Sequence, residues 1–219
     1  MKHFLTITLF ALACISVLFA TPLAEGTSKF SGIRLEGSAT VKLVPGNGYS
    51  VQYGPKTNKK QLQTEIHKGI LVVSGSGEIT VTFDRNSLNM IQLAGSGDII
   101  CKEKITPNNL AISLEGSGDI VLSNVQANTI AVSLVGSGDV NLAGNVSNAA
   151  YALEGVGDIS AEDLKASNVS ASLNGNGDIR LHATEALTTS LTGNGDIHYD
   201  GNPQMTQNSK SGEGKIVEL

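Results

Sequence analysis

Along most of the chain apolar and polar residues alternate with a period of two, and the alternation breaks at regular intervals on a Gly-x-Gly-acid unit. Counting from the first glycine of each unit, the position two residues earlier is Val73, Leu93, Leu114, Leu134, Leu153, Leu173 and Leu191. Four residues after that glycine stand Ile79, Ile99, Ile120, Val140, Ile159, Ile179 and Ile197. Four residues before it the chain has Leu71, Ile91, Ile112, Val132 and Tyr151, weakening to Ala171 and Thr189, and the residues between are mostly Ser, Asn, Thr, Glu and Asp. Successive side chains of a strand point to opposite faces, so the pattern predicts strands with the even positions inward. Helical periodicity is absent.

The units are Gly75-Ser76-Gly77-Glu78, Gly95-Ser96-Gly97-Asp98, Gly116-Ser117-Gly118-Asp119, Gly136-Ser137-Gly138-Asp139, Gly155-Val156-Gly157-Asp158, Gly175-Asn176-Gly177-Asp178 and Gly193-Asn194-Gly195-Asp196, with a worn copy at Gly212-Glu213-Gly214-Lys215. Their first glycines are separated by 20, 21, 20, 19, 20, 18 and 19 residues. A period near twenty belongs to stacked solenoid coils. The expected fold is therefore all-β, a right-handed parallel β-solenoid, its hand set by the crossover rule for parallel strands. About eight or nine coils at about 4.8 Å each make a rod on the order of 40 Å long. Each coil reads as strand, Gly-x-Gly, strand and a polar turn such as Ser123-Asn124, Gly144-Asn145 or Glu162-Asp163. Both glycines fall on the inward side of the alternation. Either the wall bends inward and leaves no room for a Cβ, or one glycine takes a left-handed conformation, and the pattern leaves both open.

Outside this repeat the pattern changes. Residues 29–85 alternate less regularly and are broken by Pro45-Gly46-Asn47-Gly48 and Pro55-Lys56, which reads as opening coils or a capping β-layer. Residues 86–200 are the regular coils and 201–219 a C-terminal cap, together one domain over 29–219. The start of the chain has Lys2, then an apolar run from Phe4 to Ala20 and polar Thr21-Pro22. That is the layout of a secretory signal over residues 1–20, cleaved near Ala20 or Ala24, with 21–28 as linker and no membrane span afterwards. Lipidation at Cys14 competes with it, although Ala11 stands where a lipoprotein signal prefers a branched apolar residue. The expected destination is the periplasm or outer cell surface.

Composition sharpens this picture. The chain has 25 glycines, no Trp and two cysteines, so once the signal is removed only Cys101 remains and packing must hold the fold. The formal net charge is −5, unevenly spread: residues 21–104 carry ten basic and seven acidic side chains, residues 105–219 four and thirteen. An acidic half repels polyanions, which argues against nucleic acid as a partner.

Lys29-Phe30-Ser31-Gly32-Ile33, Ala39-Thr40-Val41-Lys42-Leu43, Lys68-Gly69-Ile70-Leu71-Val72-Val73 and Leu93-Ala94-Gly95-Ser96-Gly97-Asp98-Ile99 follow one another in an order that resembles the bacterial family known as putative auto-transporter adhesin, head GIN domain. The resemblance covers nearly all of the chain after residue 28. It implies an exported, single-domain β-helix-like protein and brings no functional residue with it.

The candidate binding residues are the outward rows of the repeat. Asp98, Asp119, Asp139, Asp158, Asp178 and Asp196 should stack in one column at coil spacing, beside Ser96, Ser117, Ser137, Asn176 and Asn194. Unit charges that close repel by about 1 kcal/mol per neighbour at a surface. Hydrogen bonds from amides of the Gly-rich turn, as in Asx-turns, would compensate. Calcium is the competing account, disfavoured because it wants six to eight oxygens. The nonapeptide calcium repeat recurs every nine residues, so its site does not transfer. No metal or other cofactor is expected. Parallel β-helices also host polysaccharide lyases and glycosidases, whose paired carboxylates need different environments; repeat-identical aspartates meet the same one. His67, His182 and His198 lack metal-ligand spacing, Cys101 falls on an inward position, and the Gly-x-Gly units lack the Lys and helix of a phosphate loop. The outward rows carry no Thr column of the ice-binding kind. The reading is a non-catalytic adhesion or binding module facing glycan or a cell-envelope protein, with a carbohydrate-active enzyme or a purely structural envelope protein as alternatives and self-association left open.

Overall fold

The computed structural model describes residues 28–219, and of 205–207 the backbone only. The segment read as a signal, with Cys14 and both cleavage positions, lies outside the described residues. Sixteen strands join in one sheet wound into a parallel β-solenoid, and the described residues contain no helix.

The alternation decides the core as expected. Leu35, Val73, Leu93, Leu114, Leu134, Leu153, Leu173 and Leu191 are buried in one column, and Val41, Ile79, Ile99, Ile120, Val140, Ile159, Ile179 and Ile197 in another. β-branched and leucine side chains stacked coil on coil fill such a core without large aromatics. The small residues Ala161, Ala166, Ala171 and Ala183 share the core of the later coils with Tyr151.

Coil order departs from chain order at the N-terminal end. β1 (Gly32–Gly37) and β2 (Thr40–Gly46) form the first coil in sequence, followed by β3 (Ser50–Tyr53), β4 (Leu62–His67), β5 (Ile70–Gly75) and β6 (Glu78–Asp84). Next come β7 (Met90–Gly95) and β8 (Asp98–Cys101). β1 pairs in parallel with β5 on one side and β7 on the other, and β2 likewise lies between β6 and β8. The first coil is thus inserted between the second and the third. β4 runs antiparallel on β5, and β3 antiparallel on β6, so the outermost coil has its open edges covered. Residues 29–85 are therefore both coils and cap. The β4–β5 link is the two-residue turn Lys68-Gly69, with φ of 50° and 79°, the left-handed pair that a tight hairpin demands.

Beyond β9 (Asn109–Gly116) the coils follow chain order: β10 (Ile120–Gly136), β11 (Val140–Gly155), β12 (Ile159–Gly175) and β13 (Ile179–Gly193). β14 (Ile197–Asp200), β15 (Gln204–Ser211) and β16 (Ile216–Glu218) close the stack. The polar pairs expected as turns are not strand ends. β10 runs through Ser123-Asn124 with only a register shift between Leu122 and Val125, and Val125 returns to the core. The ladder continues there because a bulge bends a strand without ending its pairing.

The strand breaks at the glycines, where from Gly95 onward the first of each pair meets both readings and the second only the close approach. Gly136 has φ of 137°, a region closed to residues with a Cβ. At Gly138 a Cβ would overlap the carbonyl oxygen of Gly118 in the preceding coil.

Candidate functional site

At the breaks of the regular coils two amides share one carbonyl of the coil below. Ser137 and Gly138 both direct their N–H groups at the carbonyl of Gly116, at 2.9 and 3.2 Å, and Ile120 N–H reaches the carbonyl of Asp139 at 2.9 Å. Asp139 N–H then lies beside a carboxylate. It donates to Asp119 Oδ1 at 3.0 Å. The same bond recurs up the column: Asp119 N–H to Asp98 Oδ1 at 3.3 Å, Asp158 to Asp139 at 3.0 Å, Asp178 to Asp158 at 2.8 Å and Asp196 to Asp178 at 2.9 Å. Lys215 N–H ends the series on Asp196 Oδ1 at 2.7 Å.

The structure thus brings the six predicted aspartates into one column, and it corrects where their hydrogen bonds go. The donor is the amide of the next coil, not one in the same Gly-rich turn, because the unsatisfied N–H is created by stacking and lies one coil away. A charged acceptor on a backbone amide makes one of the stronger hydrogen bonds available to a protein. One carboxylate oxygen per residue is engaged in this way. Arg180 adds an ion pair to Asp178 at 3.2 Å, and His198 Nε2 lies 3.9 Å from Asp196.

Ser96, Ser117, Ser137, Asn176 and Asn194 are exposed at the corner beside this column. Asn194 Nδ2 donates to Asn176 Oδ1 at 3.0 Å, so the amides form a short ladder of their own. Val156, 60 % exposed, interrupts the polar row.

The remaining titratable groups are dispersed. His67 is on the N-terminal cap strand, whereas His182, 3.5 Å from Asp200, and His198 lie on neighbouring coils at the other end. Cys101 is buried in the core, and burial pushes its thiol up to about 12, far from a reactive thiolate. Among the described residues no group of three or more His, Cys, Asp or Glu is placed to hold a metal ion.

Two features escaped the alternation. Buried Tyr151 Oη and Thr189 Oγ1 have no hydrogen-bond partner, the first with its phenol pushed above its ordinary value by burial. A trough of about 640 Å³ also runs across the outward face of the strands that precede the glycines. Reading the odd positions column by column finds it, since Ala111, Ala131, Ala150 and Ser170 then line up.

Comparison with known proteins agrees with this geometry. A putative adhesin from Bacteroides fragilis is 30 % identical, with a TM-score of 0.82 over 88 % of this chain and 93 % of the other. A structure described as a putative lipid binding protein from Parabacteroides distasonis shares the fold at 22 % identity, TM-score 0.70, over 89 % and 94 % of the two chains. A putative adhesin from Parabacteroides merdae does so at 19 % identity, TM-score 0.66, over 88 % and 93 %. No curated protein is similar to this chain. Residues 29–203 match the family described as putative auto-transporter adhesin, head GIN domain, and the chain belongs to that family.

Proposed function

We propose that this chain is an exported, non-catalytic binding module of the cell envelope, and that the corner of the solenoid holds glycan or an envelope protein. The carrying observation is the exposed corner itself. Ser96, Ser117, Ser137, Asn176 and Asn194 recur there at coil spacing beside Asp98, Asp119, Asp139, Asp158, Asp178 and Asp196, each aspartate with one oxygen left outside the amide zipper. Repeat proteins use such extended, periodic faces for recognition. The same regularity argues against catalysis, since an acid and a base need different surroundings and Asp119, Asp139 and Asp158 share one, with Asp178 and Asp196 differing by the Arg180 and His198 beside them. Export rests on the apolar run from Phe4 to Ala20 and on the adhesin-like family; no helix among the described residues is long and apolar enough to cross a membrane. Residues 29–219 then form a single domain behind a signal over 1–20.

A glycan array with and without calcium, beside a polysaccharide-cleavage assay, tests this reading. The double variant Asp119→Asn/Asp139→Asn keeps both Oδ1 acceptors and removes two charges. Binding lost in that variant with unchanged melting supports the corner, and reducing-sugar release abolished by a single Asp substitution overturns the non-catalytic assignment. Cell fractionation with N-terminal sequencing tests export; a full-length chain in the cytoplasm rejects it.

A further inference from the structure

The chain contains four Asn-Gly pairs: Asn47-Gly48, Asn174-Gly175, Asn176-Gly177 and Asn194-Gly195. In such a pair the asparagine side chain is open to attack by its own backbone, because glycine has no Cβ to shield the nitrogen that follows. The attacking species is that nitrogen after it has lost its proton. A glycine N–H held in a hydrogen bond therefore resists the step as it resists hydrogen exchange, and reacts only when the backbone opens locally.

Three of the pairs belong to the regular coils, and the stacking shields them. Gly175 lies inside the ladder, between Gly155 on one side and Gly193 on the other. Gly177 N–H donates to the Gly155 carbonyl at 3.3 Å, and Gly195 N–H to the Gly175 carbonyl at 3.2 Å. A Cβ on Gly175, Gly177 or Gly195 would overlap a carbonyl oxygen of the coil below, so the backbone is closely packed at all three. The side chains of the corner are held as well, since Asn194 Nδ2 donates to Asn176 Oδ1 at 3.0 Å.

Asn47-Gly48 has none of this support. The pair lies in the link between β2 and β3, outside every strand, and both residues are exposed. Among the described residues no hydrogen bond holds the Gly48 N–H or the Asn47 carboxamide. A Cβ on Gly48 would meet nothing within 4 Å, so no neighbour packs against the backbone there.

We propose that Asn47 is a site of spontaneous deamidation, and that in the folded protein it converts while the three Asn-Gly pairs of the coils are protected by stacking. The deprotonated Gly48 nitrogen bonds to Asn47 Cγ, the bond from Cγ to the side-chain nitrogen breaks, and ammonia leaves with a proton taken from water. Water then opens the resulting succinimide at either carbonyl, giving aspartate or isoaspartate. Either product adds a negative charge to the half of the chain with the basic excess. Isoaspartate also lengthens the backbone by a methylene just before Tyr49, which packs edge-on against Phe30. The site is remote from the corner, so the inference stands whether or not the corner binds glycan.

The test is to age the purified full-length chain at pH 8, with and without urea, and to follow the four pairs by peptide mass spectrometry, isoaspartate being identified by isoaspartyl methyltransferase labelling. In urea all four should convert at comparable rates. In the native protein Asn47 should convert roughly tenfold or more faster than Asn174, Asn176 and Asn194, whose glycine amides must first be released. Ion exchange should show an acidic species growing in step with Asn47 conversion, and Asn47→Ser, a change in an exposed link, should remove it. Native conversion of Asn47 no faster than that of the coil asparagines overturns the proposal, as does an acidic species that grows unchanged in Asn47→Ser.

Discussion

Between Gly37 and Thr40 the first coil carries Gly-Ser-Ala-Thr, while the coils from Gly95 onward carry Gly-Ser-Gly-Asp or a near copy, and the two regions join their coils differently. In the N-terminal unit Thr40 N–H reaches the carbonyl of Gly77 at 2.8 Å, and Asp98 N–H that of Ala39 at 3.0 Å. Backbone suffices there. From Asp119 on the same donor finds a carboxylate of the coil below. The cores differ as well. The N-terminal unit buries Phe30 and Phe83, with Tyr49 edge-on to Phe30 at 5.0 Å, whereas the regular coils rely on Leu and Ile ladders. An end must finish the stack with covering strands and large side chains; a middle coil must only match its neighbours. Repetition in this molecule is thus a device for the interior of the rod, and irregularity a device for its end.

The largest effect should come from the core that both regions share. Leu134→Asp would bury an unpaired charge between two coils and should cost about 4 kcal/mol or more, enough to erase cooperative melting. A melting curve that barely moves would show the inward face to be wrongly assigned. Next is the second glycine of the unit. Gly138→Ala places a methyl on the Gly118 carbonyl and should cost about 2–4 kcal/mol in urea denaturation, whereas Ala39→Gly at the matching place of the first coil should cost about 1 kcal/mol or less. Equal losses would mean that the two regions do not differ there.

The aspartate column should show a smaller and more selective contrast. Asp139→Ala leaves Asp158 N–H without its acceptor and should cost about 1–3 kcal/mol, while Asp139→Asn keeps Oδ1 and should stay near wild type. Glu78→Ala at the corresponding place of the N-terminal unit removes only an exposed ion pair with Lys42, worth at most about 1 kcal/mol, because Thr40 N–H bonds to backbone. The column is a zipper only if Asp139→Ala exceeds Glu78→Ala.

Cys101 reports on the seam between the regions, since β8 lies between Leu43 of the inserted coil and Leu122 of the first long strand. Its thiol should resist iodoacetamide at pH 8 in the native protein and react fully in urea. Its raised pKa also has a sign: the unfolded thiol loses its proton near 9 and the folded one only near 12, so this stabilising contribution is complete below 9 and is lost as pH rises toward 12. Native-state alkylation at pH 8 as fast as in urea would mean that the seam opens freely.

The sequence by itself determined the inward columns and the coil period, because both are set within one coil: the strand alternation at Leu134 and Ile120 needs no knowledge of a neighbour, whereas the reason for the second glycine, Gly138, lies in the Gly118 carbonyl of the coil below. The exposed corner was legible for the same reason. The partner of each aspartate was not, since Asp98 N–H and Asp119 N–H stand at the same place of the repeat, yet the first bonds to the Ala39 carbonyl and the second to Asp98 Oδ1 of the coil below. Nor was the insertion of β1 between β5 and β7. Strand edges offer the same row of donors and acceptors whichever coil presents them, so local pattern cannot rank the ways of stacking them. That ranking depends on covering strands such as β3 and β4, on the large side chains beneath them, and on which edge is left for the next coil, and only the tertiary structure decided it.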